Sequence, residues 1–159
     1  MHPPHPDISL VIPVYNEIEN IELLERAIIA NLAGQNYEVI FVNDGSTDGS
    51  TLRIKECCAR HSNFRAIHFK KHAGQTAAMD AGFKHACGKY IVSMDADMQN
   101  DPADIPKLLE KLHLYDMVCG WRQKRNDPWI KRISSTVANF IRNKVSQENI
   151  KDTGCSLKA

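Results

Sequence analysis

The apolar residues of this chain occur in short runs that alternate with amphipathic stretches. Five runs predict strands, at residues 8–14, 37–42, 64–70, 90–94 and 116–121. The stretches between them predict helices that end near residue 32 and span residues 50–60, 76–86 and 103–112. Strands separated by helices of this length form right-handed βαβ units. The pattern therefore predicts an α/β fold with a mostly parallel sheet covered by helices on both faces.

Polar residues indicate where two of these helices begin. We predict that Asn16 or Asn20 caps the first helix, because an N-cap side chain accepts a hydrogen bond from a free backbone N–H. Asp101 followed by Pro102 predicts the start of the fourth helix, with the aspartate as N-cap and the proline in the first turn.

The composition is that of one globular domain, with 159 residues, 43% of them hydrophobic and 25% charged. Residues 1–6 contain three prolines and two histidines and predict a flexible terminus, which leaves residues 7–159 as a single domain. A net charge of +1 gives no argument for a nucleic-acid partner, and no apolar run approaches the roughly 20 residues that span a bilayer. The five cysteines form no C-x-x-C pair, and we expect them to be reduced, cytosolic and mostly buried.

Two aspartates follow the fourth predicted strand. In extended backbone, residues two apart point to one face, so Asp95 and Asp97 are expected to converge beyond the strand end, with Gln99 nearby. Two carboxylates and an amide oxygen are hard ligands that suit Mg²⁺ or Mn²⁺, and these ions complete their shells with water and substrate phosphates. This favours a diphosphate ligand. The alternative is that Asp97, like Asp101, only caps the next helix.

The loops after the first two strands contain further candidates. Tyr15 can lie flat against a base, while Glu17 and Asp44 can accept hydrogen bonds from base or ribose. Each has a structural alternative, in which Tyr15 packs, Glu17 belongs to a first helical turn and Asp44 caps the second helix. Because the carboxyl ends of parallel strands meet at one edge of a sheet, the three loops together favour a nucleotide and a metal.

Other phosphate and metal motifs fail on spacing. A P-loop would need glycine where Phe83 stands, and a dinucleotide fingerprint would need glycine within residues 13–17. The loop after the second strand starts like an EF-hand but has Lys55 at the twelfth position instead of glutamate. His68 and His72 are four apart where a strand gives way to a loop, which makes a weak zinc pair.

Four motifs, in this order, resemble the catalytic domain of glycosyltransferase family 2 with its GT-A fold. They are Pro13-Val-Tyr-Asn-Glu17, Asn43-Asp-Gly-Ser-Thr-Asp48, Gly74-Gln-Thr-Ala-Ala-Met-Asp-Ala-Gly82 and Asp95-Ala-Asp-Met-Gln99. The resemblance is to polyprenyl-phosphate glycosyltransferases of the dolichyl-phosphate mannosyltransferase type, and it covers nearly the whole chain from Asp7. The family often has aspartate where this chain has Asn43, which keeps an acceptor oxygen but drops a charge.

The resemblance implies inverting transfer of a sugar from a nucleotide diphosphate donor, with Mg²⁺ or Mn²⁺ as cofactor. It implies a nucleotide-sugar site formed by Pro13, Tyr15, Glu17, Asp44, Gln75 and Asp95, and a metal site formed by Asp95, Asp97 and Gln99. Asp97, Arg122 and Asp152 are the catalytic candidates.

In the expected reaction an acceptor oxygen attacks the anomeric carbon opposite the departing nucleotide diphosphate, whose charge the metal and Arg122 stabilise. A lipid phosphate acceptor needs no general base, whereas a sugar hydroxyl does, and Asp152 is the candidate for that role. Seven basic residues between 122 and 144 face one acidic neighbour, Asp127. Those from Arg122 to Arg132 favour a phosphate acceptor, although a solvated face, part of it a helix at residues 130–144, explains them nearly as well.

The chain ends in residues 154–159, which look like the start of a strand without a closing turn, so we expect a catalytic domain truncated at its C-terminus. The segment Asp152-Thr-Gly-Cys155 is similar to one in bacterial members that use undecaprenyl phosphate. Members of this type continue into membrane segments, which implies membrane contact on the cytoplasmic side through parts missing here. The alternatives are transfer to a polysaccharide hydroxyl, a nucleotide-sugar binding domain that is inactive as truncated, and an Mg²⁺-dependent aspartyl phosphatase, whose acidic pair usually ends the first strand instead.

Overall fold

A parallel sheet of four strands organises the fold. The computed structural model describes residues 5–121 and 155–159. The strands are β1 (Ile8–Val14), β2 (Tyr37–Asn43), β3 (Phe64–His68) and β4 (Tyr90–Ser93), in the spatial order β3-β2-β1-β4. Ile8 of β1 pairs with Tyr37 of β2 on one side and with Tyr90 of β4 on the other. The predicted parallel α/β arrangement is confirmed, and the carboxyl ends of the four strands share one edge.

Helices cover both faces of this sheet. They are α1 (Ile18–Asn31), α2 (Ser50–Arg60), α3 (Gln75–His85) and α4 (Ile105–Leu109), which follows a 3₁₀-helix at Pro102–Asp104. Buried side chains alternate along β1, so that Leu10 and Ile12 share a core with residues of α1, α2 and α4, while Val11 packs on the α3 side. Gly82 permits the close approach of α3, because a Cβ there would overlap the Val11 side chain.

The predicted cap of α1 is wrong. Asn20 lies inside the helix, Asn16 has a left-handed backbone with φ of 57°, and Glu17 occupies the N-cap without a capping side-chain bond. The free N–H groups are satisfied by the loop before α2 and by the first residue of α2, since Asp48 Oδ2 accepts from Ile18 N at 3.0 Å and Ser50 Oγ accepts from Glu17 N at 3.0 Å. A cap supplied from another loop leaves no local sequence signal.

Helix four and strand three are shorter than predicted, although their starts are as expected. Asp101 accepts a hydrogen bond from Ala103 N at 2.9 Å, and Pro102 follows in the first turn. Instead of one helix over residues 103–112, the segment begins as a 3₁₀-helix, and after α4 it tightens into turns in which Lys111 N donates to Leu108 O. Strand β3 ends at His68 instead of residue 70.

Residues 155–159 lie between β4 and residues 118–120. Ser93 and Lys158 exchange two backbone hydrogen bonds of 2.8 and 3.1 Å, and on the far side Gly120 N donates to Leu157 O at 2.9 Å. The bridges at Lys158 are antiparallel. The predicted strand over residues 116–121 is therefore wrong, because only an isolated bridge at Cys119 forms there.

All five cysteines are free, but the expectation that most are buried is wrong. Cys57 and Cys155 are buried, Cys58 and Cys119 are half-buried, and Cys87 is exposed. Within residues 5–121 and 155–159, none of the helices has the length and apolar character needed to cross a membrane.

Candidate functional site

Three loops at the carboxyl edge of the sheet border a cavity of about 270 Å³. They follow β1, β2 and β4, and a fourth loop between β3 and α3 completes the wall. The lining residues are Pro13, Val14, Tyr15, Glu17, Asp44, His72, Gln75, Asp95, Ala96 and Asp97. Seven of the eight residues expected in the nucleotide-sugar and metal sites line this cavity, and the eighth, Gln99, is exposed and outside the lining.

Asp44 is buried at the end of β2, with 2% of its surface exposed. Its Oδ1 accepts from Ala73 N at 2.7 Å, and its Oδ2 accepts from Gly74 N at 2.8 Å. His72 Nδ1 lies 2.9 Å from the same Oδ2. Asp44 therefore does not cap α2, the structural alternative for this residue, and instead fixes the loop before α3 against the end of β2.

Asn43 secures the base of the loop after β2. Its Nδ2 donates to Thr51 Oγ1 at 2.7 Å and its Oδ1 accepts from Ser46 N at 3.1 Å. The two bonds join the loop after β2 to the first turn of α2. This gives Asn43 a structural role at the position where the resembling family often has aspartate.

Tyr15 and Glu17 lie at the mouth of the cavity. Tyr15 is 44% exposed, and its ring centroid is 4.0 Å from that of His72, with the planes 32° apart. Glu17 accepts a bond from Asn20 Nδ2 at 2.6 Å and stands at the N-cap of α1. Tyr15 is thus not packed into the core, whereas Glu17 both belongs to the start of a helix and borders the cavity.

The carboxylates after β4 form another part of the cavity wall. Asp95 Oδ1 accepts from Gln75 Nε2 at 2.7 Å, which ties this loop to the first turn of α3. Asp97 Oδ1 accepts from Gln99 N at 3.0 Å in a local turn, and Met98 within that turn has a left-handed backbone with φ of 60°. A non-glycine residue in this conformation is uncommon, and it turns the chain sharply beside the two carboxylates. Asp97 does not cap the following helix.

The donor set fits a hard divalent ion only in part. Two carboxylates, Asp95 and Asp97, border the cavity, and each has an oxygen beyond the one engaged in the bonds above. In the described part of the chain, no three His, Cys, Asp or Glu side chains cluster as a metal site. The pair Asp95 and Asp97 nevertheless suits Mg²⁺ or Mn²⁺, because these ions take one or two protein carboxylates and complete their shells with water and phosphate oxygens.

A larger cavity, of about 660 Å³, adjoins the first one. The two share Gln75 and Asp95. Its walls include the apolar side chains of Met79, Phe83 and Ile91 together with Lys158 from the C-terminal segment. Asp95 therefore borders two spaces, one beside Tyr15 and one beside α3.

Sequence reasoning missed His72 as a residue of the site. It was weighed only as a partner of His68, which ends β3 and instead lies 3.2 Å from Asn43 Nδ2. The available signal was its place two residues before Gly74, where the motif that opens α3 begins. Arg122, Asp152 and the basic segment of residues 130–144 lie outside the described residues.

The chain belongs to glycosyl transferase family 2, whose family model matches residues 9–158. Among its relatives is the undecaprenyl-phosphate 4-deoxy-4-formamido-L-arabinose transferase of Edwardsiella ictaluri, 39% identical over 156 residues, which are 96% of this chain and 48% of that protein. Another is the dodecaprenyl-phosphate galacturonate synthase of Rhizobium johnstonii, 37% identical over 158 residues, covering 96% of this chain and 47% of that protein. The chain spans about half the length of these curated relatives.

Solved structures share the fold. The mannosyltransferase PcManGT from Pyrobaculum calidifontis, in complex with GDP-Man and Mn²⁺, has a TM-score of 0.63 and 23% identity over 75% of this chain and 36% of its own. The glucosyl-3-phosphoglycerate synthase of Mycobacterium tuberculosis, with Mn²⁺, UDP and glucosyl-3-phosphoglycerate, has a TM-score of 0.73 and 20% identity over 96% of this chain and 56% of its own. At these identities the likeness establishes the fold, and the expected GT-A fold is confirmed.

Proposed function

We propose that this chain is the catalytic domain of an inverting, metal-dependent glycosyltransferase that moves a sugar from a nucleotide diphosphate to a polyprenyl phosphate. The observation that carries the proposal is the single cavity in which an exposed tyrosine and a buried aspartate face the carboxylates Asp95 and Asp97. An aromatic ring and hydrogen-bonding groups suit a nucleoside, and a pair of carboxylates suits a metal-bound diphosphate. Similarity to an undecaprenyl-phosphate sugar transferase and to a dodecaprenyl-phosphate galacturonate synthase supports this acceptor class.

Asp95 and Asp97 would hold the divalent ion, which when bound supplies positive charge for the leaving diphosphate. Gln75 keeps Asp95 in place through its 2.7 Å hydrogen bond, so the carboxylate need not reorganise as charge develops. Tyr15, Glu17 and Asp44 border the space for the nucleoside. Gln99 remains a proposed third metal ligand, although its side chain lies outside the cavity lining.

The acceptor phosphate oxygen forms a bond to the anomeric carbon as the bond to the nucleotide diphosphate breaks on the opposite face, which inverts the configuration. An ionised phosphate carries no proton that has to be removed, so no general base is required. The adjoining cavity, which shares Asp95 and contains Lys158 and apolar side chains, is where we place the approach of the acceptor. Because a polyprenyl chain resides in a bilayer, we place the reaction at a membrane surface, on its cytoplasmic side. Arg122 keeps its proposed role beside the leaving group, and Asp152 stays the candidate base for the alternative in which the acceptor is a sugar hydroxyl.

The test is calorimetric titration of UDP and GDP into the full chain, with and without Mn²⁺. We expect Mn²⁺ to strengthen binding, and Asp97→Ala to weaken Mn²⁺-dependent binding about tenfold or more, because a charge-assisted contact contributes roughly 1.5–3 kcal/mol. Asp80→Ala is the matched control, since this exposed aspartate on α3 pairs with Lys84 outside the cavity. Binding that ignores both the metal and Asp97→Ala would refute the proposed site.

Turnover separates a transferase from a binding module. With a short polyprenyl phosphate and a panel of nucleotide sugars, release of nucleoside diphosphate and formation of a lipid-linked sugar are expected. Donor binding without product would support the binding-module alternative. Product with a sugar hydroxyl acceptor, and none with the lipid phosphate, would support the polysaccharide alternative.

A further inference from the structure

Residues 94–99 form the carboxylate loop, which carries both aspartates of the cavity wall, and one serine from the C-terminal segment holds its two ends. Before the loop, Ser93 Oγ donates to the carbonyl oxygen of Ser156 at 2.9 Å. After the loop, Asn100 Nδ2 donates to Ser156 Oγ at 2.7 Å. Ser156 therefore closes the carboxylate loop at its base.

Asn100 is built into this contact and is not a surface residue. Its side chain is buried, with 6% of the residue exposed, and its Oδ1 lies 3.6 Å from the Cys155 thiol. Both polar atoms of the amide thus face residues 155–156. Because a buried amide without partners costs free energy, Asn100 favours the arrangement in which the loop end and the C-terminal segment stay together.

Within the carboxylate loop, other bonds set the two aspartates relative to their surroundings. Gln75 Nε2 donates to Asp95 Oδ1 at 2.7 Å, and Asp97 Oδ1 accepts from Gln99 N at 3.0 Å. These contacts fix the middle of the loop, whereas Ser156 fixes its ends. Asn100 lies outside the lining of the smaller cavity, so an effect on a ligand there has to pass through the loop.

We infer that Asn100 and Ser156 are positioning residues, whose hydrogen bond closes the carboxylate loop so that Asp95 and Asp97 are prearranged for one divalent ion. This inference rests on the proposed function, in which the two aspartates hold that ion. A loop that is closed before binding loses less conformational entropy when the ion arrives. Groups behind metal ligands commonly influence metal affinity in this way.

Two single variants remove the hydrogen bond from opposite sides, and a third keeps it. Asn100→Ala and Ser156→Ala should each weaken Mn²⁺ binding by about threefold to tenfold, measured by titrating Mn²⁺ into the chain at a fixed concentration of UDP or GDP. Nucleotide affinity without metal should not change. Ser156→Thr retains the hydroxyl and should bind Mn²⁺ nearly as the wild type does. The double variant Asn100→Ala/Ser156→Ala should be no weaker than either single variant, because the same bond is lost only once.

Asn63→Ala is the matched control for a purely structural effect. The amide of Asn63 donates to Tyr37 O at 3.1 Å and joins the start of β2 to the residue before β3, at the edge of the sheet away from the site. We expect this variant to lower the midpoint of thermal unfolding, as Asn100→Ala does, and to leave Mn²⁺ affinity unchanged. Ser156→Ala removes one hydroxyl from a half-buried residue, so it supplies the test even if Asn100→Ala does not fold.

The outcomes separate this inference from the proposed function. Wild-type Mn²⁺ affinity in Ser156→Ala, or an equal loss of Mn²⁺ affinity in Asn63→Ala, would overturn the positioning role alone. A wild type whose nucleotide binding ignores Mn²⁺ would overturn the proposed function, and the positioning role with it.

Discussion

Glu25 is a buried carboxylate of α1 that four hydrogen bonds hold in place away from the cavity. Arg60 donates to both of its oxygens at 3.0 and 2.6 Å, while His61 and the Cys57 thiol lie at 2.8 and 3.1 Å. The bonds from Arg60 hold the pKa of Glu25 at about 2, although burial by itself would raise it. Burial and the bond to Glu25 raise the pKa of Cys57 to about 12, so this thiol stays protonated. The cluster joins α1 to α2.

Glu25→Gln is expected to lower the free energy of unfolding by about 2 kcal/mol at pH 7, because it removes a buried charge from its partners. The expected loss of stability is smaller than the largest values for buried ion pairs, because Arg60 is 50% exposed and solvent screens its charge. Urea unfolding measures the difference. Glu22→Gln, which removes an exposed pair with Arg26, is the control and should change stability by less than about 0.5 kcal/mol.

The stability difference between wild type and Glu25→Gln is also expected to depend on pH. The folded pKa of Glu25 is about 2 against an ordinary 4.5, so its charge stabilises the fold above pH 4.5. That contribution is lost as the pH falls through the folded pKa, because folded and unfolded chains then both bind the proton. The gap between wild type and Glu25→Gln should therefore close between these pH values. A gap of constant size down to pH 2.5 would contradict this assignment.

Single residues with local roles were predictable, and residues whose role depends on distant loops were not. Asp95 and Asp97 both border one cavity just after β4, and the sequence shows two carboxylates close together after a strand. Asp101 caps its own segment, as a local motif predicts. His72 gains its place from Tyr15 and Asp44, which belong to other loops, and no periodicity or spacing records such a contact.

At the scale of elements, one aspartate caps two helices. Asp48 Oδ2 accepts from Ile18 N at 3.0 Å at the start of α1, and its Oδ1 accepts from Ser50 N at 2.9 Å at the start of α2. Burial would raise the pKa of Asp48, but the bonds from Ser50 and Ile18 outweigh it and lower the pKa. The carboxylate therefore stays ionised beside two helix N-termini, where negative charge is favourable.

Asp48→Ala is expected to destabilise the fold by about 2 kcal/mol, since each lost cap costs roughly 1 kcal/mol. The loops after β1 and β2 also depend on this residue, so nucleotide binding should weaken along with stability. Thermal unfolding and calorimetry measure the two effects. Asp104→Ala, which breaks an exposed pair with Lys107, should leave both nearly unchanged. Equal stability of Asp48→Ala and Asp104→Ala would refute the double cap.

At the scale of the whole molecule, the parallel sheet was predictable from the sequence, but the antiparallel placement of residues 155–159 beside β4 was not. Four strands separated by helices leave little choice of topology, because right-handed crossovers and one shared edge follow from the alternation. Residues 155–159 instead reach back between β4 and residues 118–120 and run antiparallel. Each segment has a strand-like run in the sequence, but their antiparallel pairing with each other and with β4 joins distant parts of the chain, and no local pattern records it.

Substitution of Leu157 tests how much residues 155–159 contribute to the stability of the fold. Its side chain is 3% exposed and shares the main core with residues of β1, β4 and α4. Leu157→Ala should lower the free energy of unfolding by about 2–4 kcal/mol, because it removes buried apolar atoms and leaves a cavity. Leu52→Ala, at a leucine of α2 that is 63% exposed, is the matched control and should cost less than about 0.5 kcal/mol. If the two variants unfold at the same urea concentration, the C-terminal segment is not part of the cooperative core.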